Sequence, residues 1–98
     1  MTDIFGYRFS EPYPLGTEFT DVPCVYAVYT NKKWLDVGET DKLGSRINND
    51  NHERKPCWIA NAEGKNIWII FLIESDQQKR LNIEADLRSK MNPTCGEK

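Results

Sequence analysis

The sequence predicts a single α/β domain of the α+β kind, in which a three-stranded antiparallel sheet is flanked by helices in the order β-β-α-α-β-α. Residues 25–30 alternate in hydrophobicity, residues 67–73 are almost continuously apolar, and helix signals follow each of these strands. A chain of 98 residues with 39% hydrophobic residues suffices for one core and is short for two domains.

The first two strands are predicted to form a hairpin. Residues 25–30 (VYAVYT) are β-branched or aromatic, residues 31–32 (NK) suit a tight turn, and residues 33–40 (KWLDVGET) suit a second strand. A period of two along this second strand would place Trp34, Asp36 and Gly38 on one face of the sheet.

Two short helices and a central strand are predicted next. Asp41 is a candidate N-cap for a helix over residues 42–49. A second helix over 53–62 is predicted to be broken near Pro56 and closed by Gly64. The apolar run over residues 67–73 (IWIIFLI) is typical of a strand that is covered on both faces.

The last predicted helix contains a carboxylate on its apolar side. Ser75 or Asp76 would cap this helix, which runs to about Met91 and ends before Pro93. At ~100° per residue, Glu84 falls within the apolar arc, where an ionised carboxylate needs a partner. That partner is either a bound cation or Arg88, which shares the arc and would make a structural ion pair.

Residues 1–24 read as an N-terminal arm that packs on the domain formed by residues 25–98. The arm is rich in proline and glycine and contains several aromatic residues, so a free tail is not expected. Its acidic character suggests a possible contact with a second copy of the chain or with a protein partner.

The composition points away from a membrane protein and from a strong nonspecific DNA binder. No run approaches the roughly 20 apolar residues that span a bilayer, and the start lacks a signal-peptide pattern, so a cytoplasmic location is expected. The net charge is −2, whereas tight nonspecific duplex binding relies on excess Lys and Arg.

The three cysteines predict reduced structural thiols. Their number is odd and no C-x-x-C pair is present, so neither a disulfide framework nor a common zinc site is indicated.

Several short motifs occur in a recognisable order. They are Cys24-Val25-Tyr26, Asp36-Val37-Gly38, Arg46, Glu84 and Asn92. From Val25 to about Asn92 this set resembles the GIY-YIG nuclease domain. Cys24 stands where the first motif has glycine, and Asp36 stands where the second motif has tyrosine.

The resemblance implies a metal-dependent DNA endonuclease that hydrolyses phosphodiester bonds. Glu84 would bind one Mg²⁺ or Mn²⁺, Arg46 would hold the phosphate, and Tyr26 would orient the attacking water. His52 would assist as an acid or base, although a histidine in so polar a segment is also explained as a solvated side chain. Asn92 would position the site by hydrogen bonding.

Asp36 leaves two interpretations open. It could bind the cation together with Glu84, since hard divalent ions favour several oxygen ligands. Alternatively the site has degenerated, and the domain binds nucleic acid or protein without catalysis. The expected partner is DNA, branched or single-stranded, with Trp34 or Trp58 stacking on bases. The residues expected to contact nucleic acid are Lys42, Arg46, Arg54, Lys55 and Asn92.

Overall fold

The computed structural model describes residues 2–48 and 54–95. Its elements in chain order are β1 (Thr2–Ile4), β2 (Tyr7–Phe9), β3 (Tyr13–Pro14), β4 (Cys24–Tyr29), β5 (Trp34–Thr40), α1 (Leu43–Ile47), α2 (Lys55–Ala62), β6 (Trp68–Ile73) and α3 (Gln77–Met91). The predicted α+β class, with antiparallel strands and three helices, is confirmed.

The predicted number of strands in the sheet is wrong. The main sheet has four antiparallel strands in the order β3-β6-β4-β5, and β1 pairs with β2 in a separate two-stranded sheet. The fourth strand comes from the arm, where Tyr13 and Pro14 pair with Ile69 and Trp68. A strand of two residues has no readable period, and its proline is tolerated because β3 lies at the sheet edge.

A β-bulge near the start of β5 overturns the predicted facing of its residues. Val28 pairs with Asp36 but Tyr29 pairs with Trp34, so Leu35 is an extra residue. Because of this shift, Trp34 and Gly38 lie on opposite faces of the sheet. Leu35 and Trp34 accordingly pack in different core clusters.

The core lies on both faces of the sheet. One cluster fills the space between the sheet and the two short helices α1 and α2, and the other lies beneath α3 and the β1–β2 hairpin. The buried members of the first are Cys24, Tyr26, Val28, Leu35, Leu43, Ile47, Trp58, Ala62, Ile67, Ile69 and Cys95. Those of the second are Phe9, Val25, Ala27, Val37, Ile70, Leu87 and Met91.

The arm makes specific contacts with the rest of the chain. The Tyr7 hydroxyl donates to Asp86 on α3 at 2.7 Å, and Phe9 is fully buried. Asp21 accepts from the backbone N–H of Ser45 at 2.6 Å, near the start of α1. The prediction that Asp41 caps this helix is wrong. The N-cap residue is Lys42, and its side chain makes no capping hydrogen bond.

The helix α2 begins close to its predicted start. Pro56 lies in the first turn, where the missing N–H removes no intrahelical hydrogen bond. The proline therefore starts this helix rather than breaking it.

Cys57 and Cys95 form a disulfide, so the prediction of reduced thiols is wrong for this pair. Their Cα atoms are 6.0 Å apart although 38 positions separate them in sequence. The bond fastens the segment after α3 to α2, and the backbone N–H of Cys95 also donates to Leu35 O at 2.7 Å. Cys24 is a buried free thiol, and burial raises its pKa to about 12.

Structural disulfides are rare in the cytoplasm of most organisms. The cytoplasmic location therefore stays a prediction, and this bond weighs against it. Within residues 2–48 and 54–95, none of the helices has the length and apolar character needed to cross a bilayer.

Candidate functional site

Asp36 is the centre of a buried polar network at the edge of the main sheet. Its carboxylate has no solvent exposure and accepts from the backbone N–H of Val37 at 2.8 Å. From α2, the indole N–H of Trp58 donates to Oδ2 at 3.0 Å, and Arg54 Nη1 lies 3.1 Å from Oδ1. From α3, Arg88 Nη2 lies 3.2 Å from Oδ1. Asp36 therefore ties both helices to β5.

Arg88 links this network to Glu84. Its Nε donates to Glu84 Oε2 at 3.0 Å, one helical turn away, while Nη2 reaches Asp36 and also donates to the carbonyl of Val37. The side chains of Arg88 and Glu84 are 17% and 21% exposed. Of the two partners considered for Glu84 in the sequence, the structure provides the arginine.

The donor set does not fit a divalent cation shared by the two carboxylates. The Arg88 guanidinium bridges Asp36 and Glu84, and so it occupies the place such a cation would need. Both Asp36 oxygens already accept hydrogen bonds from Arg54 or Trp58. No group of three or more His, Cys, Asp or Glu side chains suited to a metal occurs in the described part of the chain.

Tyr26 and Gly38 face each other across the β4–β5 pair. They are partners in the strand register, and a Cβ atom on residue 38 would lie 2.6 Å from both Cζ and the hydroxyl of Tyr26. Glycine is therefore required for the tyrosine ring to approach β5 this closely. This close approach gives a physical reason for combining tyrosine in the first motif with glycine in the second.

Arg46 on α1 hydrogen-bonds the Tyr26 side chain, and Asp36 and Arg54 lie within electrostatic range of it. Burial raises the pKa of Tyr26 above its usual value, and the hydrogen bond from Arg46 opposes that rise. With 1% exposure, the phenol stays protonated at neutral pH. It can orient a neighbouring group but is a poor general base.

A polar cleft opens beside Arg46. Arg80, nearly buried, is held there by Glu39 at 3.0 Å and by the carbonyls of Glu74 and Ser75. These pairings neutralise one acidic and one basic group at the cleft wall. The residues that line the cleft are Glu39, Thr40, Asp41, Arg46, Gln77 and Arg80.

The structure thus places Tyr26, Asp36 and Arg46 on the face of the sheet that α1 and α2 cover. Glu84 lies on α3, which covers the other face, and it is linked to Asp36 through Arg88. Asn92 is not among them, because it is the exposed C-cap of α3 with φ of 48°, a left-handed conformation that asparagine tolerates. Its contribution is to end the helix.

The other predicted residues lie in varied surroundings. His52 lies outside the described residues. Lys42 is exposed and Lys55 is partly exposed. Arg54, expected to contact nucleic acid, is bound to Asp36 instead, and Trp58 is fully buried and therefore not a stacking platform.

Sequence reasoning missed the partnership of Asp36 with Arg54 and Trp58. The available signal was weak: a carboxylate inside a strand of otherwise apolar residues needs buried donors, but nothing in the spacing says which ones. The pairing with Arg54 spans 18 positions and that with Arg88 spans 52.

No protein-family model, curated protein or solved structure matches this chain. The chain forms a small α+β domain whose sheet edge holds an arginine-rich, partly buried polar cluster.

Proposed function

We propose that this chain is a GIY-YIG-like domain that binds nucleic acid through its phosphate groups, without a preformed metal centre. The observation that carries the proposal is the charge of the cluster. Three guanidinium groups, from Arg46, Arg54 and Arg88, accompany two carboxylates, from Asp36 and Glu84. A surplus of guanidinium favours an anionic ligand over a cation.

Within the cluster, Arg46 is the best candidate for the phosphate contact. It lines the open polar cleft, whereas Arg54 and Arg88 are bound to the buried Asp36. The Tyr26 hydroxyl holds the Arg46 side chain from within the core. A guanidinium fixed in this way loses less side-chain freedom when it binds a phosphate.

Two features support binding over hydrolysis. Tyr26 is enclosed and protonated, so it has neither the access nor the pKa of a base that activates water. Asp36 is surrounded by donors and has no exposed oxygen with which to contact a substrate or ion. Both residues therefore serve to position their neighbours.

The proposal is tested by fluorescence anisotropy with labelled single-stranded and duplex oligonucleotides at low salt. Arg46→Gln is expected to weaken binding about tenfold, the value of one charge-assisted contact. It should also reduce the salt slope by about one. Arg8→Gln is the matched control, because Arg8 is 69% exposed on β2 and far in sequence from the cleft.

Equal losses in Arg46→Gln and Arg8→Gln would contradict the proposal. Thermal melting of each variant shows whether the fold is retained, and Arg46→Lys provides a second variant that keeps the charge. Arg46→Lys should bind better than Arg46→Gln if Arg46 meets a phosphate.

A GIY-YIG-type endonuclease acting on DNA is the second candidate. The resemblance favours it, because it assigns catalytic work to Tyr26, Arg46 and Glu84, and Tyr26 and Arg46 are hydrogen-bonded to each other. Its test is cleavage of supercoiled plasmid, branched DNA and single-stranded DNA with Mg²⁺ or Mn²⁺, comparing the wild type with Glu84→Gln. Cutting by the wild type that Glu84→Gln abolishes would establish the nuclease. Binding without cutting would support the first proposal.

A further inference from the structure

Three aromatic side chains form a row across the main sheet at the end opposite the Arg46 cleft. Tyr29 on β4 pairs with Trp34 on β5 and with Trp68 on β6, so the row spans three adjacent strands. The bulge at Leu35 is what brings Trp34 into this row. All three aromatic side chains are partly exposed.

The row is bordered by two recesses that share the hairpin turn. The first is a cavity of about 430 Å³ between Ile4, Tyr29, Trp34 and the turn lysines. There the rings of Tyr29 and Trp34 lie 5.3 Å apart with their planes tilted by 58°. The second recess lies between Trp68 and the loop after α2, and Asn31 lines both. Together they form a continuous surface around the turn.

The charges that line this surface are positive. Lys32 and Lys33 line the first recess and Lys65 lines the second, and no carboxylate lines either recess within the described residues. Glu63 approaches from outside and pairs with Lys33 at 3.2 Å, with its own side chain 69% exposed. Lys32 and Lys65 are exposed. An anionic ligand with flat apolar groups complements such a surface.

We propose that this aromatic–lysine surface binds single-stranded nucleic acid, with bases stacking on Trp34 and Trp68 and phosphates meeting Lys32 and Lys65. This deepens the proposed function and rests on it. A single strand is specified because the bases of a duplex are already stacked on each other and do not offer their faces. DNA and RNA share the required chemistry.

The two sites suit one extended strand. Trp34 and Thr40 are the two ends of β5, so the aromatic row and the Arg46 cleft lie about 20 Å apart at a rise of ~3.3 Å per residue. A short oligonucleotide would engage one site, whereas a longer one would reach both. Sites of roughly 4–16 nucleotides are usual for surfaces of this kind.

The experiment measures the fluorescence anisotropy of labelled oligothymidylate, the matching oligouridylate and a duplex. The single strands are about 4 and 12 nucleotides long, because sites of this kind usually hold roughly 4–16 nucleotides. Trp34→Leu, which retains apolar packing, should weaken single-strand binding about 5- to 150-fold, the range for one stacked base. Phe5→Leu is the matched control, because Phe5 is 48% exposed on the β1–β2 turn and lines neither recess.

A charge variant tests the same surface independently. Lys32→Gln with Lys65→Gln should lower the salt slope for single strands by about 1.4, at ~0.7 per phosphate. The control is Lys79→Gln with Lys90→Gln on α3, which removes the same charge from outside both recesses.

The outcomes separate the two proposals. Loss of binding in Arg46→Gln with full binding in Trp34→Leu and in the lysine pair would overturn the aromatic surface and leave the proposed function intact. Loss in Trp34→Leu with tighter binding of single strands than of duplex would support both. Equal affinity for duplex and single strands, or no binding of any oligonucleotide, would overturn this inference. The thymidylate and uridylate arms show which nucleic acid the surface prefers.

Discussion

The most direct test of the structure is to remove the charge of Asp36 without changing its shape. Asp36→Asn creates no cavity, yet it replaces one carboxylate oxygen by an N–H donor. Arg54 and Trp58 both donate to Oδ2, at 3.3 and 3.0 Å, while Val37, Arg54 and Arg88 donate to Oδ1. In either orientation, the amide NH2 group of the asparagine would therefore face another hydrogen-bond donor in a site without solvent.

The expected loss of stability follows from what each partner loses. Breaking a buried ion pair by removing one partner costs about 3–5 kcal/mol. Arg54 and Arg88 are 20% and 17% exposed, and Arg88 keeps Glu84 and the Val37 carbonyl, so the lower end applies. We expect a loss of about 3 kcal/mol, which corresponds to roughly 12–24 °C in Tm for a domain of this size.

The assay is thermal and urea denaturation followed by circular dichroism, with the disulfide intact. Asp3→Asn is the control. Asp3 is also paired with an arginine, Arg8, but the two side chains are 71% and 69% exposed. Exposed pairs contribute little, so this variant should melt with the wild type. In the Arg54→Gln background, Asp36→Asn should cost less than in the wild type, because the two changes disrupt the same contact.

A melting temperature of Asp36→Asn within a few degrees of that of Asp3→Asn would contradict this prediction. Such a result would mean that the carboxylate is not the common acceptor of the two arginines. The assignment of Asp36 to the stability of the fold, rather than to a ligand, would then have to be withdrawn.

Three further predictions concern other parts of the chain. Cys95→Ser should lower the free energy of unfolding by about 4 kcal/mol, the loop-closure value for a separation of 38 residues. Thiol titration of the denatured, unreduced wild type should detect one reactive thiol, that of Cys24. Three reactive thiols would show that Cys57 and Cys95 are not bonded. Gly38→Ala should lower the free energy of unfolding in urea by about 1–3 kcal/mol, because its Cβ would lie 2.6 Å from the ring of Tyr26. An unchanged free energy of unfolding would contradict that contact. The hydrogen bond from Tyr7 lowers the pKa of Asp86, so the stability it provides is present above about pH 4 and is lost as the pH falls through the lowered pKa. Tyr7→Phe should therefore lose less stability than the wild type on acidification. An identical loss of stability in the two proteins would refute this linkage.

The helices and the long strands could be predicted because each carries its own pattern. The alternation over β4, the apolar run of β6 and the caps of α3 are all local signals. The capping aspartate of α3, Asp76, even accepts from Lys79 N–H as a local N-cap should. Such features depend on neighbours within a few residues.

The short strands could not be predicted in the same way. Tyr13 and Pro14 form a strand because β6 offers an unpaired edge, and nothing in their own sequence requires it. The bulge at Leu35 is equally invisible, since one extra residue changes no composition and yet moves Trp34 to the other face of the sheet. Both features depend on a partner strand.

For the candidate site, the sequence supplied the members but not their partners. The ordered motifs predicted that Tyr26, Arg46 and Glu84 would be neighbours. The fold joins Tyr26 to Arg46, whereas Glu84 lies on α3 and is linked to Asp36 through Arg88. Whether Glu84 would meet a cation or Arg88 was left open, because both satisfy a carboxylate on an apolar arc. In the folded chain Arg88 pairs with Glu84 and also reaches Asp36 on β5.

By itself, then, the sequence determined the α+β class and the order of the longer elements. The tertiary structure alone decided the fourth strand, the disulfide and the donors that surround Asp36. The physical reason is the range of the interactions. Periodicity and capping act over a few residues, whereas strand pairing, disulfide bonds and buried ion pairs join groups whose proximity exists only after the chain has folded.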